Sequence, residues 1–354
     1  MVERRCLFCG EAFTGQGHNF EHVIPRWLVR EADLSKRTAP IDFPTKKFSA
    51  AMSRMGGRAC ETCNDTSSHL EGLARIAYAK LRDGDALTPS DGRSLLDWLD
   101  KVRVGLWLWS VDVGKDDYGI IPKFRINDRM AHKDRILLAA KYPPGPRMKG
   151  LDIWGVTEHF MWSPSAIGFL INNIVIISVS SDFLVSRHLR SLSITRHVDD
   201  SGDIAAEIDL ADDPGKRLEF FAAPLIIGQV ILPIDLFNEL GLTMANPSPL
   251  HLGWGEGPVL KLNGKLEEIG PDLGSLLTFA GNTRAHRILM EFYLDMASKY
   301  LLDELLASDF SRIPDAEKRE AVQALAREYL ATTEVAIERA ATRYRQITDI
   351  TLPK

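Results

Sequence analysis

Cys6-Leu7-Phe8-Cys9-Gly10, Glu21-His22-Val23-Ile24-Pro25-Arg26-Trp27-Leu28 and Cys60-Glu61-Thr62-Cys63-Asn64 are the stretches whose reading decides the first part of the chain. They hold all 4 cysteines, arranged as two Cys-x-x-Cys pairs. Two such pairs can give four thiolates to one tetrahedral zinc, and the metal then joins segments far apart in sequence. Cys6, Cys9, Cys60 and Cys63 are therefore the expected ligands of a structural Zn2+. Gly10 supplies the backbone freedom to turn after the second thiolate. In a reducing compartment the pairs read as metal ligands and not as disulfides. Between them, an acid beside a histidine offers oxygen and nitrogen donors for a second metal.

Over residues 4–82 these elements resemble the four-cysteine form of the HNH nuclease family. The resemblance rests on acid-His-Val-Ile-Pro at Glu21–Pro25 and on the distant Cys-x-x-Cys-Asn at Cys60–Asn64. It implies a β-hairpin and a helix around a catalytic metal, the ββα-metal unit. It implies a metal-dependent endonuclease that hydrolyses DNA phosphodiester bonds. His22 would be the general base that deprotonates water, and Glu21 a ligand of a catalytic Mg2+ or Mn2+. Asn64 would be a second ligand or would hold the helix start, and His69 would supplement it. A nuclease module joined to a large second region resembles the organisation of restriction and anti-phage proteins. The chain departs from the family where its middle Asn belongs: Ser53-Arg54-Met55-Gly56-Gly57-Arg58-Ala59 contains neither Asn nor His. That departure supports the alternative of a catalytically inactive, zinc-stabilised nucleic-acid-binding or scaffold protein. An RNA-directed nuclease is a further alternative, because HNH chemistry does not itself distinguish the two phosphodiesters.

Composition sets the frame. The chain has 354 residues, 45% hydrophobic and 26% charged, with a formal net charge of -5. That is ordinary for a globular protein of two or three domains, and it excludes a generally basic nucleic-acid binder. The distribution is uneven: residues 1–82 carry thirteen Lys/Arg against nine Asp/Glu, and residues 115–150 nine against four. Arg26, Lys46, Lys47, Arg54 and Arg58 are the candidate phosphate contacts beside the expected site. Lys123, Arg125, Arg129 and Arg135 mark a second basic stretch. Double-stranded DNA is the expected partner. No window is long and apolar enough to span a membrane, and the first residues lack a signal-peptide run. A cytoplasmic location is the expectation.

The rest of the chain divides by periodicity. A short strand holding Glu21 and His22 ends at Pro25. Residues 70–81 have helical spacing, with Gly84 as the stop. Thr88-Pro89-Ser90-Asp91-Gly92 reads as the linker between an HNH-like module, 1–88, and an α+β region, 93–354. Residues 94–113 form a helix with Lys101 and Arg103 on its polar side. Strands follow over 118–233, at 118–126, 168–179, 204–208 and 220–231, in a mainly antiparallel sheet. The Gly-x-Gly pairings at 253–257 lack the lysine of a phosphate loop and the dinucleotide fingerprint. Helices over about 284–308 and 315–345 close the chain as a hairpin, a surface that offers a homodimer contact.

Overall fold

A computed structural model describes residues 5–114 except 14–17, 35–37 and 43–46, and residues 120–181 except 123, 144–148, 157–159 and 162–163. It further describes 185, 192–198, 204–210, 225–229, 231, 259–261, 272–276, scattered helical positions between 288 and 306, 310, and 315–348. The architecture is α+β, with a four-cysteine cluster beside a small sheet, a larger antiparallel sheet and C-terminal helices.

The first elements are β1 (His18–His22), α1 (Arg26–Glu31), β2 (Thr38–Asp42), β3 (Lys47–Ala51), β4 (Gly56–Cys60) and α2 (Glu61–Asp83). Pro25 lacks an N–H, so the extended chain of β1 gives way to α1 at the place where a missing donor costs least. β1 pairs antiparallel with β4, with Phe20 opposite Arg58 and His22 opposite Gly56. The excursion between them is the antiparallel pair β2–β3, followed by a 3-10 turn, Met52–Arg54. α2 ends at Gly84, whose φ of 82° is the left-handed cap that glycine adopts without strain.

Thr88–Gly92 is a helix start and not a linker. Thr88 and Asp91 form a capping box, and Pro89 opens α3 (Pro89–Val113). α3 is buried along most of its length, including the charged Asp100, Lys101 and Arg103, while Arg93 and Asp112 are exposed. Its core is continuous with that of the first elements: Val23, Ile24 and Leu28 belong to the same apolar cluster as Trp98, Leu137, Ile176 and Ile227.

Against α3 lies a six-stranded antiparallel sheet built from β5 (Asp134–Lys141), β6 (Leu151–Trp154), β7 (Ala166–Ile171), β8 (Ile174–Ser181), β11 (Leu225–Gln229) and β12 (Val259–Lys261). The strand order is β12-β11-β5-β8-β7-β6. β9 (Leu192–Val198) and β10 (Ile204–Leu210) pair separately. The expected strand over 168–179 is a hairpin, β7–β8, turned at Asn172-Asn173; Asn172 has a positive φ of 53°, a conformation that Asn tolerates better than most residues. The expected strand over 118–126 does not form among its described residues. Residues 234–258 lie outside the described residues.

At the end of the chain α4 (Ala316–Thr348) is capped by Asp315, whose carboxylate accepts from the N–H groups of Glu317 and Lys318. It runs antiparallel to the preceding helical residues. Lys299 pairs with Glu334 at 3.3 Å, and Glu291 with Arg343 at 3.7 Å. No described helix is long and apolar enough to cross a membrane.

α3 packs closely on the residue after β1 at Gly105, where a Cβ would lie 2.9 Å from a methyl of Val23. Val23 is β-branched and fully buried, so it has little room to give. Gly105→Val is expected to lower unfolding free energy by about 1–3 kcal/mol in urea denaturation. Pairing it with Val23→Ala should recover part of that loss, and a cost that stays additive would argue against the contact.

Candidate metal centre

The four cysteines meet because two different turns bring each pair to the same point. Cys6–Gly10 is a tight turn in which the Gly10 N–H donates to the Cys6 carbonyl at 3.0 Å, with Gly10 at φ 74°. The first knuckle is held in place by Leu7, whose N–H donates to the Arg58 carbonyl at 2.8 Å. The second pair sits at the start of α2. Cys60 is the N-cap residue and Cys63 lies in the first turn, where the helix dipole favours a negative ligand. No side chain caps α2, and the Cys60 sulfur points to the cluster.

The ligating atoms of Cys6, Cys9, Cys60 and Cys63 all lie within 4.8 Å of one another. Zn–S bonds of about 2.3 Å in a tetrahedron require sulfurs about 3.8 Å apart. Cys6 Sγ and Cys60 Sγ are 3.8 Å apart. The donor set, the spacing and the burial fit a structural zinc. The surrounding dipoles favour thiolate at Cys6. Burial alone would push its thiol up, but N–H groups of Cys9, Cys60 and Phe8 outweigh it and bring the group to about 7. The Cys60 N–H reaches Cys6 Sγ at 3.4 Å. Cys63 is pushed the other way, by burial and then by its neighbouring sulfurs, as expected for thiols crowded at one site.

The acid-histidine pair has a different environment. Glu21 is turned inward and accepts from Ser67 Oγ at 2.9 Å and from Lys101 Nζ at 2.6 Å. Lys101, on α3, is fully buried and also pairs with Glu71. Its ammonium further donates to the His22 carbonyl at 3.3 Å. Burial pushes Glu71 above the usual carboxylate range despite the attraction of Lys101. His22 is pushed below its ordinary value by burial, then by Arg26, with Glu21 pulling in the opposite sense. Its Nδ1 is buried and finds no hydrogen-bond partner among the described residues.

These positions overturn the nuclease reading. Among the described residues, the group of His, Cys, Asp and Glu side chains that converges with metal-ligating geometry is the four-cysteine cluster, with neither His22 nor Glu21 in it. Four thiolates close the coordination of zinc, whereas a catalytic centre keeps a position open. The Glu21 carboxylate expected on Mg2+ or Mn2+ is instead held by the Lys101 ammonium and Ser67. Among the described residues, the side chains expected to carry HNH catalysis do not converge on a metal-ligating arrangement.

No family model, no curated protein and no solved structure matches this chain.

The remaining expected site residues are spread out. Asn64 lies one position beyond Cys63 in α2, half-buried, and its carbonyl accepts from Ser68; the helix start belongs to Cys60. His69 is exposed on α2. Arg26, Lys47 and Arg54 are exposed, Arg58 donates to His18 Nε2, and Lys46 lies outside the described residues. The basic stretch at 115–150 is partly spent on the fold. Arg135 is buried against Asp97 and Asp100, and Arg129 stacks over Phe124 at 4.5 Å. Lys101 and Arg103, expected on a polar helix face, are both fully buried. Arg103 binds Asp100 and the Pro164 carbonyl. The overlooked signal is a charged Asp-Lys-x-Arg run set among apolar residues in the middle of the helix.

Removing Lys101 leaves the buried Glu21 carboxylate and the half-buried Glu71 carboxylate without the cation between them. Lys101→Met is expected to cost about 3–5 kcal/mol in urea denaturation at constant zinc. Adding Glu21→Gln and Glu71→Gln should restore a substantial part, and a triple variant no more stable than Lys101→Met would show that the pairing is not the cause.

Proposed function

We propose that this chain is a non-catalytic, zinc-stabilised nucleic-acid-binding protein. In this reading residues 1–88 are a degenerate HNH-type ββα module, and residues 93–354 are the assembly region built on α3. The observation that carries the reading is the ligand set. Four thiolates supply every position of a structural zinc, and the nearby carboxylate is neutralised by a lysine. The order of the paired strands β1 and β4 and the helix α2 supports the HNH resemblance as a matter of shape. Exposed Arg26, Arg30, Lys47 and Arg54 supply positive charge for a phosphate backbone, which gives affinity without reading sequence. DNA is the first partner to test. The C-terminal helices, with exposed Leu325 and Val335 on α4, are the proposed surface for a homodimer.

The zinc would be held by Cys6, Cys9, Cys60 and Cys63. Its role is to close the first module, so its binding is folding free energy. Elemental analysis of purified protein is expected to give one zinc per chain, and chelation should unfold the first module by circular dichroism. Cys60→Ser should lose zinc and stability together. Incubation with DNA and Mg2+ or Mn2+ should give no cleavage, while binding measured by fluorescence anisotropy should weaken as salt rises. Binding without cleavage supports the proposal. Absence of binding to DNA and RNA alike would leave a scaffold role, and cleavage abolished by His22→Ala would overturn the reading outright.

A further inference from the structure

β1 and β4 form a ribbon with two unlike faces. Strand alternation places Glu21 and Ala59 on one of them, and both are buried, with Glu21 turned to α2 and α3. The opposite face carries His18, Phe20 and His22 from β1, with Arg58 and Gly56 opposite them on β4. This face is made of rings. Phe20 and His22 meet edge to face with centroids 5.2 Å apart. Phe13 stacks on His18 at 4.8 Å with planes 27° apart. Arg58 donates to His18 Nε2 and so ties the second strand to the first ring pair.

Phe20 is the exposed member, with 52% of its surface open. It is not a loose side chain. A Cβ on Gly56 would come within 2.9 Å of its ring, so the ring lies over a glycine that leaves it room. Exposed cations lie close in the chain to both strands of the ribbon. Arg26 opens α1 four residues after His22, and Arg54 ends the 3-10 turn that leads into β4; both are exposed. The nearest strand carboxylate, Glu21, points the other way and is neutralised by Lys101.

Resting on the nucleic-acid-binding reading above, we infer that this face is a stacking platform for single-stranded nucleic acid, with bases laid on Phe20 and the Phe13–His18 pair and phosphates met by Arg26, Arg54 and Arg58. A duplex hides the π-faces of its bases, so an exposed ring on a flat ribbon has little to bind there beyond sugar and phosphate. A single strand offers both partners at once: an aromatic face that accepts any base, and a charge every nucleotide. Same-face strand residues recur about every 7 Å, which spreads the rings along a line and suits an extended strand better than a compact ligand.

The test uses the full zinc-loaded chain and three fluorescein-labelled probes: oligothymidylate, oligouridylate and a duplex of equal length. Single strands are expected to bind more tightly than duplex. Phe20→Ala should weaken single-strand binding roughly 5- to 100-fold at every salt concentration, without changing the slope of log K against log salt. Phe20→Trp should restore it. Arg54→Gln should instead make that slope shallower by about 0.7. Zinc content and circular dichroism of each variant report folding. A preference between oligothymidylate and oligouridylate identifies DNA or RNA as the source of the strand. Equal binding of duplex and single strand, unaltered by Phe20→Ala, would overturn the platform and leave nucleic-acid binding standing. No binding to any probe would remove both.

Discussion

A lysine ammonium without contact to water, clasped by two carboxylates, is the constraint on which the first half of this protein depends. Lys101 lies eighty residues from Glu21 and thirty from Glu71, and joins both. A buried charge of this kind is costly unless its partners are in place, so α3 cannot shift without exposing an unpaired ion. One residue earlier on the same helix, Asp100 faces the other way and takes Arg103 and Arg135. Arg135 in turn donates to Gln229 of β11 at 2.7 Å. α3 thus carries one ion cluster toward the zinc module and another into the sheet, inside a single apolar core. The two clusters fix the register of the helix against both neighbours, a role that apolar packing alone performs less selectively.

The same clasp bears on chemistry. A carboxylate next to a histidine is a natural place for a divalent ion, and the motif around His22 has that form. Here a fixed monovalent cation from the chain itself takes the electrostatic role. Glu21 Oε1 accepts from both Ser67 and Lys101, and Lys101 is fully buried between Glu21 and Glu71. The thiolate cluster is equally closed. Both arrangements fit a structural role.

The four-cysteine cluster was legible in the sequence because its information is local: two repeats of one spacing account for every cysteine, and Gly10 follows at the position that needs a turn. α2 and α3 were legible from periodicity, and α4 from its apolar spacing. The role of Glu21 was not, because the residue that decides it sits on a helix eighty positions away, and a lysine in a helix reads as solvent-facing by default. The capping box at Thr88 was hidden by the turn-like composition that the same residues give a linker. The Asn172-Asn173 turn was hidden inside an apolar run, where continuous hydrophobicity marks a buried strand without marking where it reverses. β5 was missed for the opposite reason, since Arg135 and Asp134 look like surface residues and are both buried.

The chain separation between the metal ligands and Lys101 has a consequence for synthesis. A polypeptide emerging from the ribosome N-terminus first presents all four thiolates once Cys63 is out, well before α3 exists. The four cysteines can therefore meet before the ammonium arrives, and until it does Glu21 has no buried cation to pair with. Completion waits for a helix that also belongs to the next structural layer. The first module can thus gather its metal-ligating side chains early but cannot bury Glu21 against Lys101 until its neighbour has grown.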